Sequence, residues 1–146
     1  MIVYIDSSVL ARAYLTDEQG HREAALLLDD TDVGLVTGTW TRIEVSGAIA
    51  RASATGRVDR SGLLDLLDGD LGDEGRVAVV TADQAEIEAR ALKLVREHGL
   101  RAMDAWHLTV AVLTLPDLAE PGEETGFATR DQKQGEVAQA LGFVLV

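Results

Sequence analysis

Five short apolar runs alternate with segments of helical period along this chain, and that alternation admits few folds. Ile2 to Ile5, Val33 to Thr37, Val77 to Val80, Gly126 to Thr129 and Phe143 to Leu145 have the length and composition of strands. Parallel strands need crossover connections, the usual crossover is a helix, and a parallel sheet must be covered on both faces. The expected architecture is therefore α/β: one domain over residues 1–146, with about five mainly parallel strands and helices on both faces.

The helical segments carry their own punctuation. Asp6-Ser7-Ser8 supplies capping side chains before Val9, Leu10 and Ala13, predicting a helix to about Leu15. Ala24, Leu27 and Leu28 predict a second from about Gly20 to Asp29, and Val45, Ala48, Ile49 and Ala52 a longer one that stops at Gly56. Asp59 is placed to cap a helix through Leu63, Leu64, Leu66 and Leu67, followed by an acidic, Gly-rich loop from Asp68 to Gly75. Ala82 to His98 is amphipathic and ends at Gly99. Ala105 to Leu115 is apolar on almost every side and belongs in the interior, with a loop from Pro116 to Glu124 after it. Gln132 to Leu141, stopped by Gly142, completes the set.

Composition limits the chemistry. With no cysteine, the chain has neither a disulfide framework nor a thiolate nucleophile or zinc site, and His21, His98 and His107 lack paired metal-ligand spacing. Any metal is then held by oxygen, which points to magnesium or manganese. No run approaches the roughly 18 apolar residues of a membrane span, and the N-terminus reads as a strand and not as a secretion signal. The expectation is a soluble cytoplasmic protein with no membrane association. A net charge of −12 argues against broad attraction to nucleic acid. Eleven of the 13 basic residues are arginine, and Arg42, Arg51, Arg57 and Arg60 are candidates for a local phosphate-facing patch, although a solvated helix face is the plainer reading.

Four acids stand at or near predicted helix starts: Asp6, Glu44, Asp104 and Asp131. Each has an ordinary explanation. Asp6, Asp104 and Asp131 suit N-caps, and Thr41 with Glu44 matches a capping box. Their joint placement says more, because helix starts that follow parallel strands all face one sheet edge. Four ionised carboxylates about 6 Å apart repel by roughly 3 kcal/mol per pair at an effective dielectric near 20, or about 17 kcal/mol over six pairs. That exceeds the roughly 5 to 15 kcal/mol stability of a domain, so a converged quartet needs protonation, a basic partner, solvent or a cation.

These stretches carry a family resemblance over nearly the whole chain. Ile2-Val3-Tyr4-Ile5-Asp6-Ser7-Ser8-Val9-Leu10, Glu44, Gly99-Leu100-Arg101-Ala102-Met103-Asp104-Ala105-Trp106-His107-Leu108, Phe127-Ala128-Thr129-Arg130-Asp131 and Ala138 to Phe143 occur in the order of a PIN domain. The chain most resembles the VapC-type toxin ribonucleases of type II toxin-antitoxin systems. The resemblance implies a Rossmann-like sheet with the acids at the carboxyl ends of its strands. It implies Asp6 and Asp104 as the principal metal ligands, Glu44 and Asp131 as the catalytic acids completing the site, and Thr129 and Ser8 as supporting hydroxyls. It further implies RNA as substrate, magnesium as cofactor with manganese as the substitute, a VapB-like antitoxin as partner, and a homodimer. Arg130 is commonly uncharged in relatives, and a solvent-facing arginine is its plainer reading. For His107, three residues beyond Asp104, the plainer reading is a structural histidine, and for Trp40 a core or interface role.

Two other readings compete with a metal-dependent endoribonuclease. One is a PIN-like RNA- or antitoxin-binding module with little catalysis. The other, a phospho-acceptor receiver domain, fails on residues: Ser7 stands where an acidic pair is needed, and the last strand ends without lysine.

Overall fold

A computed structural model describes residues 1–146. It contains β1 (Ile2–Ile5), α1 (Ser7–Tyr14), α2 (His21–Asp29), β2 (Gly34–Gly38), α3 (Trp40–Ala54), α4 (Arg60–Asp70), β3 (Val77–Val80), α5 (Gln84–His98), α6 (Ala102–Leu118), β4 (Thr125–Ala128), α7 (Gln132–Ala140) and β5 (Val144–Leu145). The strands form one sheet in the order β3-β2-β1-β4-β5, and every pairing is parallel. The chain is thus a single α/β domain, as the alternating pattern predicts. No helix is long and apolar enough to cross a membrane.

Strand alternation sorts the core into two layers. In β1, Val3 and Ile5 point to one face and join Val9, Leu10, Tyr14, Leu28, Val45, Ile49 and Leu67 from α1 to α4. Tyr4 points to the other, beside its register partners Val36 and Phe127, and packs with Ile87, Leu108, Leu115 and Val137 from α5 to α7. Eight residues of α6 are buried, which accounts for its apolar surface on almost every side. The Tyr4 and Phe127 rings stack at 5.4 Å. Because β1 is central and its neighbours β2 and β4 leave in opposite directions, its carboxyl end lies at a topological switch point, where open α/β sheets form a crevice.

Several local expectations are corrected. The helix expected to stop before Asp68 continues to Asp70, and the acidic loop shortens accordingly. The buried Asp70 carboxylate is held there by a bidentate ion pair with Arg76 (2.7 and 2.8 Å) and by the Tyr14 hydroxyl (2.6 Å). Likewise, α6 runs through Pro116 to Leu118. Proline removes one donor, but the Ala119 N–H still reaches Leu115 O at 2.9 Å and closes the turn. Asp59 occupies the N-cap of α4 without a side-chain bond to the helix backbone. The arginines form no common patch: Arg42 faces Asp68 at 3.7 Å, Arg57 is paired with Asp17 and Glu18, and Arg51 and Arg60 are separately exposed.

Gly38 ends β2 where three elements crowd together. A Cβ there would lie 2.6 Å from the Trp106 ring and 2.7 Å from the Tyr4 hydroxyl. Gly38→Ala is expected to lower stability by about 1–3 kcal/mol in chemical denaturation, as overpacking does, and to raise exposure of the Trp106 ring to fluorescence quenchers.

Candidate active site

The carboxyl edge of the sheet gathers side chains from four elements. Asp6 follows β1 and caps α1. Its Oδ1 accepts from the Ser8 N–H (2.8 Å), the Ser8 hydroxyl (2.6 Å) and the Val9 N–H (3.2 Å). The Thr129 hydroxyl lies 3.1 Å from Asp6 Oδ2, so β4 and β1 are tied across their ends. Asp6 is only 4% exposed, and this set of donors compensates its burial.

Asp131 caps α7, accepting the Gln134 N–H at 2.8 Å through Oδ1, while its own N–H donates to Thr129 Oγ1 at 3.1 Å. For Asp6 and Asp131, the capping and site readings are therefore not alternatives. Asp104 behaves differently. It stands in the first turn of α6, whose N-cap is Arg101, and its carboxylate has no hydrogen-bond or ion-pair partner. The expected cap at Asp104 is not formed. Burial pushes its carboxyl above the usual carboxylate range, and the charges of Asp131 and Asp6 push it further.

Glu44 belongs to the same edge but is held separately. The expected capping box is absent, because α3 starts at Trp40 and Thr41 lies inside it, with its hydroxyl 2.7 Å from that of Thr37. Glu44 Oε1 instead accepts from Ser7 Oγ at 2.7 Å and lies 2.6 Å from His107 Nε2. Burial pushes the Glu44 carboxyl up, but the bonds from His107 and Ser7 outweigh burial and hold it below the usual range.

The structure thus divides the expected quartet. Asp6, Asp104 and Asp131 interact electrostatically, while Glu44 has a polar shell of its own. No three His, Asp or Glu side chains stand in a ready metal-ligating group, so the arrangement is not a closed cage of the structural-site kind. The uniform repulsion of about 17 kcal/mol expected for a tight cluster is reduced by these hydrogen-bond donors and by separation. The remaining conflict sits on Asp104. An open set of acids of this kind leaves a divalent cation to be held through one or two carboxylates with its waters retained.

Sequence reading gave the lesser weight to one neighbour of the acids and missed two more. His107, expected to be structural, is 2% exposed and bonded to Glu44. Ser7 was passed over in favour of Ser8, although both hydroxyls serve acids. Gln134 is fully buried, with Nε2 donating to Asp104 O at 3.1 Å and Oε1 2.5 Å from Thr129 Oγ1, so it joins α6, β4 and α7 beneath the acids. No motif marks a glutamine one turn after a cap. Arg130 is exposed, as expected. Trp40 is 45% exposed and packs edge-to-face on Trp106 at 6.3 Å.

A PIN-domain family model matches residues 3–140, nearly the whole chain, and spans all four acids. The chain belongs to the PIN-domain family, whose members are generally nucleases and typically use divalent metals. No curated protein gives a significant match.

An acid whose folded pKa is raised costs stability while ionised, and that cost disappears as pH falls through the folded value. Asp104→Asn is therefore expected to raise the melting temperature of the EDTA-treated protein at pH 7 slightly, since solvent screens a half-exposed carboxylate. The difference from the parent protein should shrink as pH is lowered through the Asp104 titration. Thermal denaturation across a pH series measures both.

Proposed function

We propose that this chain is a magnesium-dependent ribonuclease toxin of the VapC type, hydrolysing RNA phosphodiesters and neutralised by a cognate VapB-like antitoxin. The observation that carries this reading is the PIN-domain match over residues 3–140, with Asp6, Glu44, Asp104 and Asp131 at or near helix starts and Asp104 left without a hydrogen-bond partner. Asp6 and Asp104 would hold the magnesium ion, or manganese in its place. When bound, the ion supplies Lewis-acid polarisation of a phosphoryl oxygen and makes water a stronger acid.

The remaining chemistry falls to side chains with one free oxygen. Asp131 uses Oδ1 as a cap, which leaves Oδ2 to orient or deprotonate the attacking water. Glu44 uses Oε1 for Ser7 and His107, which leaves Oε2 for the same work. Thr129 and Ser8 keep Asp6 in place. A shallow groove of about 240 Å³, lined by Thr129, Arg130, Asp131, Gln132 and neighbours, lies beside Asp131.

The acidity of the chain suits its inhibitor. A net charge of −12 attracts a basic antitoxin segment, and the exposed Trp40 and Ile43 beside Glu44 on α3 offer it apolar contact. A homodimer is part of the same reading.

Protein purified free of any partner and incubated with total RNA should cut at defined positions with magnesium and not with EDTA. Asp6→Asn should remove cleavage and growth arrest while circular dichroism stays unchanged. RNA binding without metal-dependent turnover would favour the binding-module reading.

A further inference from the structure

The hydrogen bonds behind Glu44 have a direction that can be assigned from one end. The Gly38 backbone N–H donates to the Tyr4 hydroxyl oxygen at 3.0 Å. Tyr4 is fully buried with the Thr37 side chain beside its hydroxyl, but the Thr37 oxygen already pairs with Thr41 at 2.7 Å, and His107 Nδ1 at 2.8 Å is the acceptor to which the phenolic hydrogen is directed. A neutral imidazole that accepts at Nδ1 carries its hydrogen at Nε2. Nε2 lies 2.6 Å from Glu44 Oε1, the distance of a strong charge-assisted bond. Were the hydrogen on Nδ1 instead, the Tyr4 proton would lose this acceptor in a buried position, and Nε2 would face the Glu44 carboxylate with only the Ser7 hydroxyl, 3.2 Å away, able to donate to it. Neighbouring groups agree with this polarity. Thr37 donates to Ile5 O at 2.7 Å, which leaves its oxygen to accept from Thr41, and Ser7 directs its own hydrogen to Glu44.

We infer that His107 is a positioning residue: Gly38 and Tyr4 lock its imidazole in the Nε2–H tautomer, which fixes Glu44 Oε1 and leaves Oε2 as the oxygen of Glu44 free for substrate water. The inference rests on the proposed role of Glu44 as a site acid. It also explains two sequence features near the site. Glycine is required at 38 to let Tyr4 and Trp106 approach, and tyrosine at 4 supplies a hydroxyl that phenylalanine lacks, in a strand otherwise made of aliphatic residues.

Nitrogen-15 NMR of the imidazole reads the tautomer without reference to activity. The parent protein should show the Nε2–H pattern for His107, and Tyr4→Phe should shift it towards a tautomer mixture. In cleavage assays, His107→Gln places an amide N–H near the Nε2 position and should stay within about threefold of the parent. His107→Asn and His107→Leu should lower kcat by about 10- to 100-fold with KM for RNA held, the usual cost of losing an orienting partner. Adding Glu44→Gln to His107→Leu should cost little more, since the two act as one unit. Full activity in folded His107→Leu, or an Nδ1–H pattern in the parent, overturns the inference. A parent protein that cleaves no RNA under any metal condition overturns the ribonuclease reading instead, while the imidazole spectrum still decides the tautomer.

Discussion

A parallel sheet has to be covered on both faces, and nearly everything else in this molecule follows from that requirement. Each strand must be returned by a helical crossover, so successive helices begin at the same edge. In the order β3-β2-β1-β4-β5 the central strand is the first, and the chain leaves it towards both flanks. Asp6 at the end of β1, Glu44 early in α3 and Asp131 after β4 are brought to one edge by this topology. Asp104 arrives from α6, the most buried helix.

Concentrated negative charge at that edge is handled in two ways. The buried Asp6 and the half-buried Asp131 and Glu44 each accept from N–H or hydroxyl donors. Asp104 does not. Burial is the main reason its carboxyl is raised, and the charges of Asp131 and Asp6 add to it.

Beneath the acids lies a second tier of buried polar side chains. Gln134 links Asp104 O to Thr129, and Tyr4 with His107 links the end of β2 to Glu44. These groups are buried in the layer between the sheet and α6 and α7, where their rotamers are set by packing. Rigid support of this kind determines how well an acid is aimed.

The class of fold, the element order and the burial of α6 were legible in the sequence, which also singled out the four acids as candidates. Those properties are written in local period, capping chemistry and ordered motifs, all of which act over a few residues. Element ends were less legible wherever a remote partner intervened. Asp70 extends α4 because Arg76 and Tyr14 hold it, and α6 outlasts Pro116 because one lost donor does not undo a well-buried helix. Thr41 and Glu44 match a capping box, yet Thr37, Ser7 and His107 claim their side chains. Only the folded chain shows that His107 bonds Glu44, that Gln134 joins Thr129 to the start of α6, and that Asp104 is left without a hydrogen-bond partner. Hydrogen bonds spanning 63 residues, as between His107 and Glu44, leave no periodic trace in a single chain, because their partners are selected by packing and not by spacing.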